Sequence, residues 1–550
     1  METKKSWKAF LCLLTVVTML LSLPLTAFAA DPFMKYDEPV TLTVVKGVTV
    51  ATDTEDKTQD NEFLKFFENN YGIKLEYKWV TTPEQYSQRI ALDLAMDDLA
   101  DIVVVDATVL GQMIESGQAM DITQVWADYA DELTKTLVTP AGSASYEMAQ
   151  KDGKLYGIPY ATPVLESLHG LFLREDWRVK LNLPEPTTFA ELEQILYAFA
   201  NDDPDGNGIK DTYGIGLNKD LYGNGYELYS IANMMHAYPD AWIENAEGKI
   251  VYGSVQPEMK TVLEKLAKWY QDGLIDPEFT VKTPDQEAEL TLTEKLGAFT
   301  GVQWAQFMAD ALPSLWTNNP ESDWKLWGLP SVDDVAVKPI VYDNTNQFIV
   351  VTSKCKNPEA AVIVLNLLHK IGAGSATDIL PTEEDFRLVW DDWSWLPFTP
   401  ESIHGNVPKW EAVFAAIDNN DPSLVNYNYN ALALYNDQMN KYINHPEYRT
   451  GTEEEKSNIR GQWATRFSGQ MFGMATELNQ NGMLTFEKRG PLLTETMIDS
   501  QATLDKLELE AFTRIITGDA DISEFDTFVE QWNALGGEAI TNEINAHFGK

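Results

Sequence analysis

The sequence predicts an α/β protein divided into two lobes, and three observations carry that expectation. Between Val40 and Val105 the apolar residues run in the order strand, helix, strand, helix, strand, which marks a mainly parallel sheet. A comparable pattern restarts near Leu171. The chain has 550 residues, whereas a single hydrophobic core stops growing at about 250–300.

Taken in order, the chain opens on Lys4, Lys5 and Lys8, followed by an uncharged run from Ala9 to Ala30. Ala27-Phe28-Ala29 closes that run with a small-x-small site, so residues 1–29 read as a secretory signal peptide and the mature chain is expected to start near Ala30. The run could also span a bilayer, but the cleavage pattern at its end, with Asp31 directly after, favours removal. Val40 to Val45 alternates as a strand, and a polar loop occupies roughly Ala51 to Asn61. A helix follows with Phe63, Leu64, Phe67 and Tyr71 on one face, stopped by Gly72. Ile73 to Trp79 alternates strictly, and Thr82-Pro83-Glu84-Gln85 predicts a capped helix start with a capping box. Ile102 to Val105 is a short buried strand.

In the second stretch, Leu171 to Leu173 reads as a strand and Thr188-x-x-Glu191 caps a helix carrying Leu192, Ile195, Leu196 and Phe199. Tyr213 to Leu217 reads as a strand, helices follow to about Leu292, and Leu296 to Thr300 and Pro339 to Val351 read as buried strands. From about Pro358 the pattern is largely helical to the C-terminus. The absence of an internal repeat or low-complexity linker predicts that the chain passes between the lobes more than once.

Formal net charge is −43, with the acids spread along the chain. Such a surface repels phosphate backbones, so nucleic acid is not the expected partner. Cys12 leaves with the signal, and Cys355 alone cannot close an internal disulfide.

One segment carries a recognisable ligand spacing. Asp203-Pro204-Asp205-Gly206-Asn207-Gly208-Ile209-Lys210-Asp211 places side-chain oxygens at positions one, three, five and nine, Gly at six and the Ile209 carbonyl at seven. This is the start of a calcium loop of the EF-hand kind, with Gly214 where the bidentate Glu would stand. A polar turn without metal is the alternative, and a bound calcium would be structural because the loop leaves no open position. No catalytic residue is assigned: the six His lack zinc spacing, and neither a Gly-x-Ser-x-Gly elbow nor a Walker loop occurs. Trp304 follows a strand, and Trp390, Trp393 and Trp395 crowd an Asp- and Pro-rich segment. Indole faces suit the apolar faces of sugar rings, and core packing is the competing reading.

DDLADI from Asp97, DGKLYGIP from Asp152, LREDWRVKLNLPEPTTFAEL from Leu173, DPDGNGIKDTYGI from Asp203, RGPLLTETM from Arg489 and FDTFVEQWNALGGEAITNEIN from Phe525 form an ordered series along the chain. Together they are similar to the large extracellular solute-binding proteins of carbohydrate ABC transporters, in the branch with the LplA-type lipoprotein and the alginate-binding proteins. The resemblance implies a type II periplasmic-binding-protein-like fold, with two α/β lobes closing about a hinge. It implies a first lobe of 30–160 plus 295–349, and a second of 161–294 plus 350–550 with the calcium loop and a largely helical C-terminal part. Calcium would be held by Asp203, Asp205, Asn207, the Ile209 carbonyl and Asp211, although Thr212 replaces an acid usual after that last Asp. An oligosaccharide would lie between the lobes against Asp106, Tyr160, Glu166 and Trp304, with Trp393 and Trp395 as further candidates, and pass to an ABC permease. The protein is expected to be a monomer at the cell surface, without a lipid anchor, since no Cys stands near Ala30. A secreted polysaccharide-degrading enzyme and a peptide-binding protein of the same fold are the alternatives.

Overall fold

The computed structural model describes residues 30–48, 57–58, 60–138, 144–160, 163–319, 321–343, 345, 347–372, 376, 378–380, 382, 385, 395–398, 406–425, 429–437, 453–490 and 492–550. The expected signal peptide therefore lies outside the described residues.

The first lobe is built on a five-stranded sheet. Strands β1 (Val40–Gly47), β2 (Ile73–Thr81) and β3 (Ile102–Asp106) form its parallel part, with β1 between the other two. Helix α1 (Glu62–Tyr71) starts where the Asn61 side chain accepts the Leu64 amide at 3.0 Å. It stops at Gly72, whose φ of +65° and 2.5 Å approach of a would-be Cβ to the Tyr36 carbonyl leave room only for glycine. Phe63, Phe66, Phe67 and Tyr71 form its buried face. Helix α2 (Pro83–Ala95) begins as expected but without the capping box. Thr82 makes no side-chain cap, and the Gln85 side-chain oxygen instead accepts the Thr81 hydroxyl at 2.9 Å. Two further strands, Ile158–Pro159 and Gln347–Val351, complete the sheet in antiparallel pairing. Helix Pro358–Gly372, buried along nearly its whole length, closes the core.

The second lobe departs from expectation. His169–Arg174, buried at every position, is the centre of a three-stranded antiparallel sheet flanked by Ala298–Val302 and Trp324–Trp327. Phe299 stacks on Phe172 at 4.6 Å and on Tyr226 at 4.7 Å, which seats the 298–302 strand in this core. The 298–327 segment belongs to the second lobe's sheet, and 347–372 belongs to the first lobe's sheet and core. Burial periodicity identifies a strand but not its partner, and here the partner is set by aromatic packing across more than a hundred residues. The expected Tyr213–Leu217 strand reduces to one bridge between Tyr213 and Leu296. A hairpin of Trp242–Glu244 with Ile250–Tyr252 interrupts the stretch read as helical.

Among the described residues beyond Val407 the elements are helical as expected, apart from Thr485–Phe486, which pairs with Ile340–Val341. The capping box at Thr188 forms as read. Between its two cores the chain crosses at 159–164, at 341–347 and again between 398 and 406. Among the described residues no helix is long and apolar enough to cross a membrane.

Candidate ligand-binding cleft

The strand ends of the first lobe face the second lobe across a cavity of about 660 Å³, within the usual range of about 300–1,000 Å³ for a ligand pocket. Asp106 ends β3 and caps the next helix, accepting the Val109 amide at 2.8 Å. Gln347 lies opposite it in register. The 341–347 crossing supplies Tyr342, Asp343 and Thr345, the Asp343 carboxylate accepting the Thr345 amide at 3.0 Å. Across the gap stand Asp240, held in the left-handed region at φ 51°, and Glu487, Arg489 and Gly490, which follow the Thr485–Phe486 strand. A second cavity of about 260 Å³ continues along the first lobe, lined by Lys46, Tyr86, Tyr160 and Phe398, and Gln347 borders both.

The second-lobe wall rests on a buried polar network. Tyr229 donates to Asp240 at 2.9 Å, and the Tyr252 hydroxyl lies 3.4 Å from the same carboxyl. Tyr252 and Ser254 donate to Glu508 at 2.9 and 2.8 Å, as does Tyr222. Burial, with the Asp240 charge behind it, pushes the Glu508 carboxyl up to about 8. Burial also raises Asp240, although its carboxylate opens onto the cleft, where water moderates the effect. Nearer the cavity, the Tyr342 hydroxyl, Glu487 Oε1 and Arg489 Nε are buried without a hydrogen-bond partner among the described residues. Arg489 Nε stands 3.9 Å from Glu487 Oε1, too far for a hydrogen bond, and Gly490 N donates to the other Glu487 oxygen at 2.7 Å. Native interiors rarely leave such groups unmatched, so they are set apart from ordinary core.

Of the residues expected from sequence, Asp106 and Tyr160 line these cavities. Glu166 is half-buried and accepts the Asn406 backbone amide, which ties the first crossing to the helix at Val407–Asn419. Trp304 follows the Ala298–Val302 strand with 39% of its surface exposed and borders neither cavity. Trp395 is half-buried, and its carbonyl accepts the Tyr77 hydroxyl at 2.7 Å beside the smaller cavity. Trp390, Trp393, and most of the expected loop at 51–61 lie outside the described residues. Sequence reading missed Asp240, Tyr342, Gln347, Glu487 and Arg489. Arg489 opens one of the quoted family-like stretches, but no spacing singles out the others.

The Asp203–Asp211 loop turns as its sequence demands, with Gly206 at φ +78°. Asp203 Oδ1 is buried without a hydrogen-bond partner, while its Oδ2 accepts the Gly208 amide at 3.1 Å. Asn207 donates to Asp205 at 2.6 Å and to Asp211 at 3.2 Å, and Lys295 lies 3.2 Å from Asp211. Burial and the nearby Asp203 and Asp211 charges hold the Asp205 carboxyl above its ordinary range. An orphaned carboxylate oxygen and a crowded Asp205 suit a hard cation. The side chains as they stand bond to one another, and no group of three or more His, Cys, Asp or Glu at metal-holding distances occurs among the described residues.

A polar cleft between two lobes, bordered by strand ends and spanned by repeated crossings, is the geometry of a solute-binding protein. Residues 62–365 match the family model described as bacterial extracellular solute-binding protein, and the chain belongs to that family. It is 22% identical over 510 residues to the lipoprotein LipO of Bacillus subtilis (strain 168), covering 91% of each chain. It is 28% identical over 243 residues to the polygalacturonan/rhamnogalacturonan-binding protein YtcQ of the same organism, covering 43% of this chain and 46% of that one. Among solved structures, an HMO-binding, ABC-transporter-associated solute-binding protein from Bifidobacterium longum infantis shares the fold. Its TM-score is 0.60 at 16% identity, covering 93% of this chain and 98% of that one.

Proposed function

We propose that this protein captures an oligosaccharide between its lobes and delivers it to the permease of an ABC importer, without chemistry of its own. The observation that carries this reading is the cleft, where the Tyr342 hydroxyl, Glu487 and Arg489 hold unmatched hydrogen-bonding atoms beside Asp106, Asp240 and Gln347. Sugar hydroxyls both donate and accept, so they suit a wall that mixes the two roles. The relative YtcQ, a polygalacturonan/rhamnogalacturonan-binding protein, supports the class. Asp106 and Tyr160 are assigned as first-lobe contacts, with Trp304, Trp395 and Glu166 as peripheral ones.

Calcium held by Asp203, Asp205, Asn207, the Ile209 carbonyl and Asp211 would stiffen the second lobe, the Asn207 amide turning its oxygen inward on binding. We assign the first lobe to about 30–160 plus 347–398 and the second to about 163–341 plus 406–550, following the two sheets and cores. We assign the protein a place outside the cell, as a monomer. A thermal-shift screen over oligosaccharides and peptides tests the reading, since ligand at 100 times its Kd adds about 2.7 kcal/mol of stability. Stabilisation by peptides alone, or turnover of any glycan by the purified protein, would replace it.

A further inference from the structure

The cleft is unbalanced in charge. Asp106, Asp240, Asp343 and Glu487 line the larger cavity against one cation among its described lining residues, Arg489. That cation stands 3.9 Å from the Glu487 carboxylate, so its charge is already answered within the protein. In the adjoining cavity the Lys46 ammonium donates to the Leu396 carbonyl. A ring carboxylate entering the larger cavity would meet the converging field of four acids, and the one cation among its described lining residues already stands beside an acid. Low-dielectric walls make that field stronger than it would be on an open surface.

The unmatched atoms point the same way by a separate route. Arg489 Nε can only donate, Glu487 Oε1 as a carboxylate can only accept, and the Tyr342 hydroxyl does both. A hydroxyl can satisfy the donor and the acceptor together. A carboxylate serves Arg489 and opposes Glu487, while an ammonium does the reverse.

We propose that the cleft admits saccharides without ionised groups and excludes uronates, and that Asp240 and Glu487 set this exclusion. The inference rests on the reading of the cleft as a saccharide site. It also separates this chain from its relative YtcQ, a polygalacturonan/rhamnogalacturonan-binding protein, since polygalacturonan is a chain of uronates.

Matched pairs of ligands test it. Oligosaccharides of galacturonate, glucuronate and mannuronate, each with its carboxyl-reduced counterpart, are titrated calorimetrically into the full chain at low and high salt. The reduced forms should bind at least about tenfold more tightly than the uronates. Raising the salt should strengthen uronate binding by screening the repulsion and leave the neutral forms nearly unchanged. Asp240→Asn and Glu487→Gln, which keep the side-chain volumes, should each narrow the ratio between the members of a pair. Uronates that bind as tightly as their reduced forms, or that weaken as salt rises, would overturn the exclusion while leaving saccharide capture standing. If no saccharide binds in the wider screen, the underlying reading falls and this inference falls with it.

Discussion

The two walls of the cleft are built in different ways. The first lobe presents the ends of regular strands: Asp106 is spent capping a helix, and Gln347 sits opposite it in a tight ladder. The second lobe presents irregular chain, with Asp240 in a left-handed conformation and Glu487 and Arg489 beyond a two-residue strand. Behind these lie carboxyls and tyrosines buried together. A wall of strand ends takes its shape from the backbone ladder, whereas a wall of buried polar side chains holds charge and unmet hydrogen bonds. The comparison teaches that the first lobe supplies the platform and the second supplies discrimination.

The sharpest way to break that division is to remove a group from each wall. Arg489→Ala removes the cleft's unmatched charged donor, and a hydrogen bond to a charged group is worth about 1.5–3 kcal/mol. Sugar affinity measured by calorimetry should therefore fall by at least about tenfold. Asp106→Asn keeps the helix cap, since an amide oxygen still accepts the Val109 amide, and should cost less than about tenfold. Equal losses, or a larger loss at Asp106, would reverse the roles of the two walls.

Calcium comes next in expected effect. Chelator should lower the melting temperature of the wild type by several degrees, with about 1 kcal/mol corresponding to about 2–4 °C in a domain of this size. Asp205→Ala should abolish the response. A wild-type melting curve that ignores chelator would show that the loop is held by Asn207 and Lys295 without metal.

The buried network gives a pH signature confined to the second lobe. Glu508 is held at about 8 in the folded chain against an ordinary 4.5, so the folded state keeps a proton that the unfolded state releases. Its contribution to stability is fully present below about 4.5 and is lost as pH rises to about 8. Melting temperature measured across that window should fall less steeply in Glu508→Gln than in the wild type. Parallel curves would mean that the carboxyl is ionised in place. Smallest of all, Trp304→Ala should weaken sugar binding only a few-fold, by about 1 kcal/mol or less. It should leave the melting temperature without sugar nearly unchanged, because the indole is half-exposed and borders neither cavity.

The same contrast explains what could be read from the chain. Local signals held where local physics decides. Gly72 ends its helix, Thr188 and Glu191 close their box, and β1, β2 and β3 alternate or run apolar as a parallel sheet requires. The partner of the 298–302 strand was not legible, because it depends on Phe299 meeting Phe172 and Tyr226. The second-lobe wall was not legible either. Asp240 and Arg489 are separated by about 250 residues of chain, and the intervening sequence carries no mark that they will meet. Asp106 could be read because it ends a strand of strong apolar character, and the candidate tryptophans drew attention by composition rather than by position.

The central claim is that a saccharide binds between the lobes and touches both walls. Hydrogen exchange on the full chain, with and without an oligosaccharide found in the screen, tests it most directly. The account predicts slowed exchange at the amides around 106–109, 342–347 and 487–490 together, in both lobes and the crossing. Protection confined to one lobe, or centred on Trp304 with the 487–490 amides unchanged, would contradict it.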